Sequence, residues 1–439
     1  MNETNQDFLM RRNLTDAGFP ESEIARIISL LEEGRETAVH RILAQHRTVL
    51  LNTVHENQKR IDCLDYLVYD MNNNQKPVRP AKGKNTMKKI IPTALAMLCL
   101  LGVACSTTTE MEKSNMNGIS QDTRIFKVNP DIKAHDVQFK NRFGIMLAGH
   151  LYLPKNYDAS KKYPAIALSG PFGAVKEQVS GLYAQALAER GFLTVAFDPS
   201  FTGESGGEPR NIHSPDINTE DFQASVDYLI SRKDVDADKI GICGICGWGG
   251  FALNVAAVDT RIKATATITM YDMSRVTAKG YNDSADTLEA RREMRKTMNA
   301  QRNEDFKSGK YKYAPTLPMP EELTSDSPQF LREYVDFYKT PRGFHKRSPG
   351  STDGWAVTAG LSLLNTKLLA YANEIETPVL LVHGENAHSR YFSEGAFQKL
   401  KGNNKELLIV PGANHCDLYD QIDIIPFDKI DAFFTKNLR

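Results

Sequence analysis

Two hydrophobic periods divide the second half of this chain. From Val137 onward, short apolar runs bounded by Gly, Pro or Asp alternate with amphipathic stretches. The runs predict strands over 137–141, 145–153, 163–169, 192–197, 239–243, 263–270, 378–383 and 406–410. The stretches predict helices over 178–190, 221–232, 249–258 and 424–437, the first stopped by Gly191. The first two strands flank Arg142-Phe143-Gly144, a hairpin turn, and the others alternate with helices. An antiparallel start followed by strand–helix repeats implies an α/β architecture, a mostly parallel central sheet with helices on both faces. Between Asp272 and about Leu369 the alternation stops, in a charged helical stretch, a Pro-rich stretch and a second helical one. An insertion of that length usually carries structure or function, and a helical cap is expected over about 273–369.

The first 130 residues follow other rules. Residues 1–76 lack Gly beyond Gly34 and Pro beyond Pro20. Val39, Ile42, Leu43, His46, Val49, Leu50, Val54, Asn57, Ile61, Leu64 and Leu67 recur at spacings close to three and four, a seam of coiled-coil type. A helical hairpin or self-associating arm is expected there, then a polar linker over 77–86. Met87-Lys88-Lys89 opens an apolar run ending at Cys105. The run is short for a membrane span of ~17–25 residues and has the basic, apolar and small-residue order of a signal peptide. Gly102-Val103-Ala104-Cys105 before Ser106 resembles a bacterial lipoprotein lipobox. The resemblance implies a lipidated Cys105, a flexible tether over 106–130, and a membrane-anchored or periplasmic enzyme in the cell envelope. Met87 is read as the start of that enzyme; an internal membrane anchor is the alternative.

Lys+Arg and Asp+Glu both number 54, so no basic surplus favours a nucleic-acid partner. Six cysteines are too few for a disulfide scaffold in 439 residues. No second cysteine pair accompanies Cys243-x-x-Cys246, and neither a metal nor a cofactor is expected.

The chemistry lies in Gly244-Ile245-Cys246-Gly247-Trp248-Gly249-Gly250, where a predicted strand runs through small residues into a helix. That is the setting of a nucleophile elbow, normally G-x-S-x-G, whose strained turn needs small neighbours. Anchored on the strand, Cys246 takes the place of serine; anchored on Gly249-Gly250, the register slips by one. Here the chain resembles the dienelactone-hydrolase-like branch of the α/β-hydrolases over 137–439. The resemblance implies Cys246 as nucleophile and His415, after the last strand, as base. Where the family reads His-Gly-x-x-Asp, this chain reads His383-Gly384-Glu385-Asn386-Ala387, so Glu385 or Asp272 is expected to orient the histidine. The N–H groups of Gly247 and Phe172 are the expected oxyanion donors. His388 and Trp248 are candidate substrate contacts. The loop from Asp198 to Gly207 resembles a family loop that supports the fold, and the basic run Arg342–Arg347 reads as a solvated face or a contact for an anionic substrate. An acyl hydrolase acting on a small carboxylic ester, lactone or thioester is the expected function. The alternative is a non-catalytic, envelope-anchored binding protein on a hydrolase scaffold, suggested by Ala387 and the irregular elbow.

Overall fold

Eight strands form one sheet in the order β1-β2-β4-β3-β5-β6-β9-β10. They are β1 Ala134–Lys140, β2 Met146–Tyr152, β3 Tyr163–Ser169, β4 Leu193–Phe197, β5 Val235–Ile245, β6 Ile262–Ile268, β9 Val379–Gly384 and β10 Lys405–Val410. The two remaining strands, β7 Tyr313–Ala314 and β8 Trp355–Ala356, make a separate antiparallel ribbon. β1 pairs antiparallel with β2 and β2 antiparallel with β4; every pairing from β4 to β10 is parallel. This computed structural model describes residues 118–439 throughout, and residues 10–46 apart from 12, 13, 16, 44 and 45. The chain divides into two units, Met1–Ala104 and Cys105–Arg439.

The inner strands are apolar on both faces, which is what a parallel sheet covered on both sides requires. Ile166, Leu168, Ile245, Ile268 and Val382 face one cluster, with Tyr183 and Phe434 from the covering helices and Phe192 from the turn just before β4. Ala165, Ala167, Val195, Ile240 and Ile242 face another, with Phe222, Trp248 and Phe251. The helix Pro215–Ser231 starts six residues before its expected position. Pro215 opens it with a preset φ and no N–H to lose, a signal that the apolar period alone does not carry. Between β6 and β9 stand the helices Met273–Lys279, Leu288–Ser308 and Gln329–Tyr338.

In the first unit, the helix Glu21–Glu32 starts after Pro20 with Glu21 and Glu23 in its first turn, which suits the helix dipole. Leu14, Phe19, Ile24, Ile27, Ile28, Leu30 and Val39 form a small cluster of their own. His46 stacks on Phe19 with ring centroids 3.8 Å apart. Most of the expected seam, the linker, the signal-like run and Cys105 lie outside the described residues. Among the described residues, no helix is long and apolar enough to cross a membrane.

Candidate active site

β5 ends at Ile245 and the next helix begins at Gly247, so Cys246 alone makes the turn. Its φ of 55° and ψ of −126° lie outside the regions that L-residues favour, a strain of about 1–3 kcal/mol that persists only where surroundings over-determine it. They do so here. The Cys246 N–H donates to Ile268 O at 2.9 Å, and its carbonyl accepts from Gly249 N–H at 2.9 Å and Tyr271 N–H at 2.8 Å. The turn is thereby pinned to the end of β6, and the strand-anchored register holds. The small residues are required. A Cβ on Gly244 would stand 2.2 Å from Trp248 O, and one on Gly247 would stand 2.6 Å from Phe172 Cβ. That second approach brings the loop after β3 against the turn. The backbone N–H groups of Phe172 and Gly247 and the hydroxyls of Tyr419 and Tyr334 all face the Cys246 sulfur and favour its thiolate, yet burial outweighs them and pushes the thiol up. The two N–H groups expected as oxyanion donors thus both face the Cys246 sulfur.

The loop after β3 is held by buried charge. Asp198 accepts Lys176 N–H at 2.7 Å and Glu204 N–H at 2.8 Å. The Lys176 ammonium, 1% exposed, reaches Glu177 at 2.8 Å and Asp198 at 3.3 Å. The insertion joins the same network, with Arg347 on Glu177 at 2.5 Å and on Glu204 at 2.8 Å. Ser348 Oγ donates to Gly173 O at 2.6 Å. Arg342 pairs with Asp420 at 2.7 Å. The basic run Arg342–Arg347 is thus neither a solvated face nor an anion contact, because its guanidiniums tie the insertion to the sheet unit.

His415 is fully buried. Its Nδ1 lies 2.6 Å from Ser389 Oγ and 2.8 Å from Thr269 Oγ1, and its Nε2 lies 3.0 Å from the Tyr419 hydroxyl. Neither expected acid reaches it. Glu385 is exposed and accepts Gly412 N–H at 2.9 Å. Asp272 caps the helix Met273–Lys279, accepting from Arg275 N–H at 2.9 Å and Ser274 Oγ at 2.5 Å. The place of the carboxylate is taken by Ser389, two residues beyond Ala387. Ser389 Oγ also lies 2.9 Å from His383 Nε2, and His383 Nδ1 lies 2.6 Å from Ser393 Oγ. Thr269, with φ 45°, is a strained β-branched residue at the same junction. Two opposite sets of donors satisfy the whole row: His415 Nδ1–H to Ser389, Ser389 O–H to His383 Nε2 and His383 Nδ1–H to Ser393, or the reverse, which puts the His415 proton on Nε2. Burial first, then His388 and His383, hold His415 well below the ordinary histidine range. Burial thus favours neutral thiol and neutral imidazole over thiolate and imidazolium.

A cavity of about 270 Å³ opens over Cys246. Its walls include Phe172, Tyr271, Phe330, Tyr334, Tyr338 and Trp355, and no side chain lining it is charged. Phe330, Tyr334 and Tyr338 come from the insertion, so it covers Cys246. The two candidate substrate contacts lie elsewhere. Trp248 is buried among Phe197, Phe222 and Phe251 at centroid distances of 6.3, 5.6 and 5.0 Å. The helix that starts at Gly247 turns its side chain away from the cavity. His388 stands behind the wall, with Nε2 on the hydroxyls of Tyr271 and, at 3.5 Å, Tyr334. Sequence reasoning missed Thr269, Ser389, Tyr334 and Tyr419. Tyr419 alone carried a usable signal, four residues after His415 and so on the same side of a helical turn.

Residues 144–417 match the profile of the X-Pro dipeptidyl-peptidase (S15) family. The chain belongs to that family. This S15-family chain is 52% identical over 343 residues to the uncharacterized protein PA2218 of Pseudomonas aeruginosa, spanning 77% of this chain and 91% of the relative. The crystal structure of PA2218 superposes with a TM-score of 0.70 at 53% identity, covering 73% of this chain and 98% of that one. The uncharacterized protein YcjY of Escherichia coli is 38% identical over 63% of this chain and 89% of its own length. The thiohydrolase aneE of Aspergillus aculeatus is 31% identical over 31% of this chain and 42% of its own length. The S15-family chain is thus an α/β-hydrolase enzyme, and its relatives support acyl hydrolysis in general.

Proposed function

We propose that this S15-family enzyme hydrolyses uncharged, activated acyl compounds, namely thioesters, aryl esters or lactones of the kind handled by dienelactone-hydrolase-like enzymes. Cys246 is the nucleophile and His415 the base. The observation that carries this reading is a cysteine on a strained turn, faced by two backbone N–H groups and opening onto an apolar cavity without a charged side chain. A peptidase that removes dipeptides must receive a free α-ammonium group, and a buried ammonium needs a carboxylate partner. None lines this cavity. An amide also leaves badly from a tetrahedral thiol adduct unless its nitrogen is protonated. A pair that rests neutral, with no carboxylate to stabilise imidazolium, is better matched to leaving groups that depart unaided. At about 270 Å³ the cavity falls below the ~300–1,000 Å³ usual for drug-sized ligands, which favours a small acyl group. The name of the relative aneE, a thiohydrolase, points the same way.

The test compares the full chain on p-nitrophenyl butyrate, a butyryl thioester and Gly-Pro p-nitroanilide. The expected kcat/KM favours the ester and thioester by about 10³, some 4 kcal/mol in barrier. Comparable turnover of the anilide would sink the reading.

The same proposal places the enzyme on the cell envelope, tethered through Cys105. It is supported by Met87-Lys88-Lys89, the apolar run and the small residues before Cys105. Palmitate labelling in a bacterial host is expected to be lost in Cys105→Ala; equal labelling of that variant would refute the tether.

A further inference from the structure

Among the described residues, no direct hydrogen bond joins Cys246 to His415. Tyr419 stands between them. Its hydroxyl lies 3.0 Å from His415 Nε2 and faces the Cys246 sulfur. Tyr419 is fully buried, and it sits in the short helix Asp417–Asp420, directly after His415 and Cys416. The helix is fixed at both ends of the problem. Tyr183 donates its hydroxyl to Leu418 O at 2.7 Å. Arg342 grips Asp420 by two nitrogens at 2.7 and 2.9 Å and donates to Cys416 O at 3.1 Å. The ring of Tyr419 packs edge-on to Phe337 at 5.0 Å. The docked insertion thus fixes the backbone that carries Tyr419 and packs against its ring.

We propose that Tyr419 is a catalytic residue that conducts the proton between Cys246 and His415, an inference that rests on the cysteine–histidine reading above. A base needs its lone pair on Nε2, which selects the set of donors running from His415 Nδ1–H to Ser393; in that set the Tyr419 hydroxyl donates to His415 Nε2 and its oxygen is free to accept. In acylation the Cys246 S–H proton passes to the Tyr419 oxygen as the Tyr419 O–H proton passes to His415 Nε2. The phenol is neutral before and after. The thiolate forms the S–C bond to the acyl carbon, and the carbonyl electrons move to an oxygen facing the Phe172 and Gly247 N–H groups. Collapse restores the carbonyl and breaks the bond to the leaving group, which takes the Tyr419 O–H proton as the proton on His415 Nε2 passes back to the Tyr419 oxygen. In deacylation, water gives a proton to the Tyr419 oxygen as the Tyr419 O–H proton passes to His415 Nε2, and its hydroxyl bonds to the acyl carbon. The S–C bond breaks, and the proton returns to sulfur through Tyr419. Burial raises the Tyr419 hydroxyl well above the ordinary range, so a free phenolate is not a waypoint and the two transfers are concerted. The imidazolium that forms shares its Nδ1 proton with Ser389, which passes the polarisation on to His383.

Tyr419→Phe keeps the ring and its packing and removes only the hydroxyl. Acylation of the full chain by p-nitrophenyl acetate is followed before the steady state, in mixtures of H2O and D2O. The variant is expected to acylate about 10²-fold or more slowly with KM unchanged, the range general acid–base groups contribute. The wild-type rate is expected to bend downward with deuterium fraction, as two protons in flight require, and the variant's to become linear. A variant within threefold of wild type overturns the relay. So does a linear wild-type response, which needs no variant to fold, or an unchanged curvature in a slowed variant, which would make Tyr419 a positioning residue only. Retained activity in Cys246→Ala would instead refute the underlying reading of the nucleophile.

Discussion

Cys246→Ser is expected to lower kcat/KM for p-nitrophenyl esters by about 10³ or more, and Cys246→Ala to leave only what the oxyanion donors and binding supply. The argument runs from the histidine. A serine hydroxyl is far less acidic than a thiol and depends on a base whose protonated form is stabilised. In a serine triad, losing the carboxylate costs about 10⁴ in kcat. Here His415 is served by Ser389 and Thr269 at 2.6 and 2.8 Å and by no carboxylate. Burial pulls the imidazole down and pushes the thiol up. A thiol can still lose its proton under those conditions, whereas an alcohol in the same pocket is a much poorer nucleophile. Steady-state kinetics on the three proteins check this. A serine variant within tenfold of wild type would show that the base is stronger than its surroundings imply.

The fold is expected to be markedly acid-labile between pH 6.5 and about 4, through histidines buried neutral. Burial pulls His213 down to about 4 and His383 to about 3, from an ordinary 6.5. His415 is lowered as well. The sign is set by proton uptake. Below pH 6.5 the unfolded chain binds protons at these positions that the folded chain cannot, so stability is full above the unfolded value and falls on acidification. Each such histidine removes about 1 kcal/mol per pH unit once the unfolded form is charged. Asp221 acts in the opposite sense. Burial raises it to about 6, so in the folded chain it keeps a proton the unfolded chain releases, and acidification through that window stabilises. It offsets about one histidine. The remaining deficit amounts to several kcal/mol by pH 4.5, a fall in Tm of roughly 10 °C for a unit of this size. Thermal unfolding from pH 7.5 to 4.5 checks it, and a flat profile would mean that these imidazoles are solvated.

Much of the α/β-hydrolase unit was legible in the sequence because its strands are buried and short. A strand such as 163–169 needs no partner to be recognised: five of its seven residues are fully covered, and Pro164 and the glycine after Ser169 bound it. The elbow was legible for a different reason. Gly244 and Gly247 are forced by contacts of 2.2 and 2.6 Å that any side chain would violate, so the turn writes itself into composition. The acid was not legible. A sequence pattern says where a carboxylate usually stands after β9, but a hydroxyl from Ser389 can reach the same nitrogen from two residues further on. Which residue arrives depends on how the loop 385–389 turns, and no period encodes that. Trp248 misled through its position two residues from Cys246, because the first helical turn rotates its side chain into the core. Arg347 misled because a surface cation and a cation matched to buried Glu177 look alike until the chain is folded.

The measurement closest to the central claim is intact-mass and peptide analysis of the full chain quenched within milliseconds of mixing with p-nitrophenyl acetate. The account predicts one acetyl group, formed in a burst equal to the enzyme concentration, on the peptide carrying Cys246 and absent from Cys246→Ala. Turnover with the acetyl group on another residue, or unchanged turnover in Cys246→Ala, would contradict it.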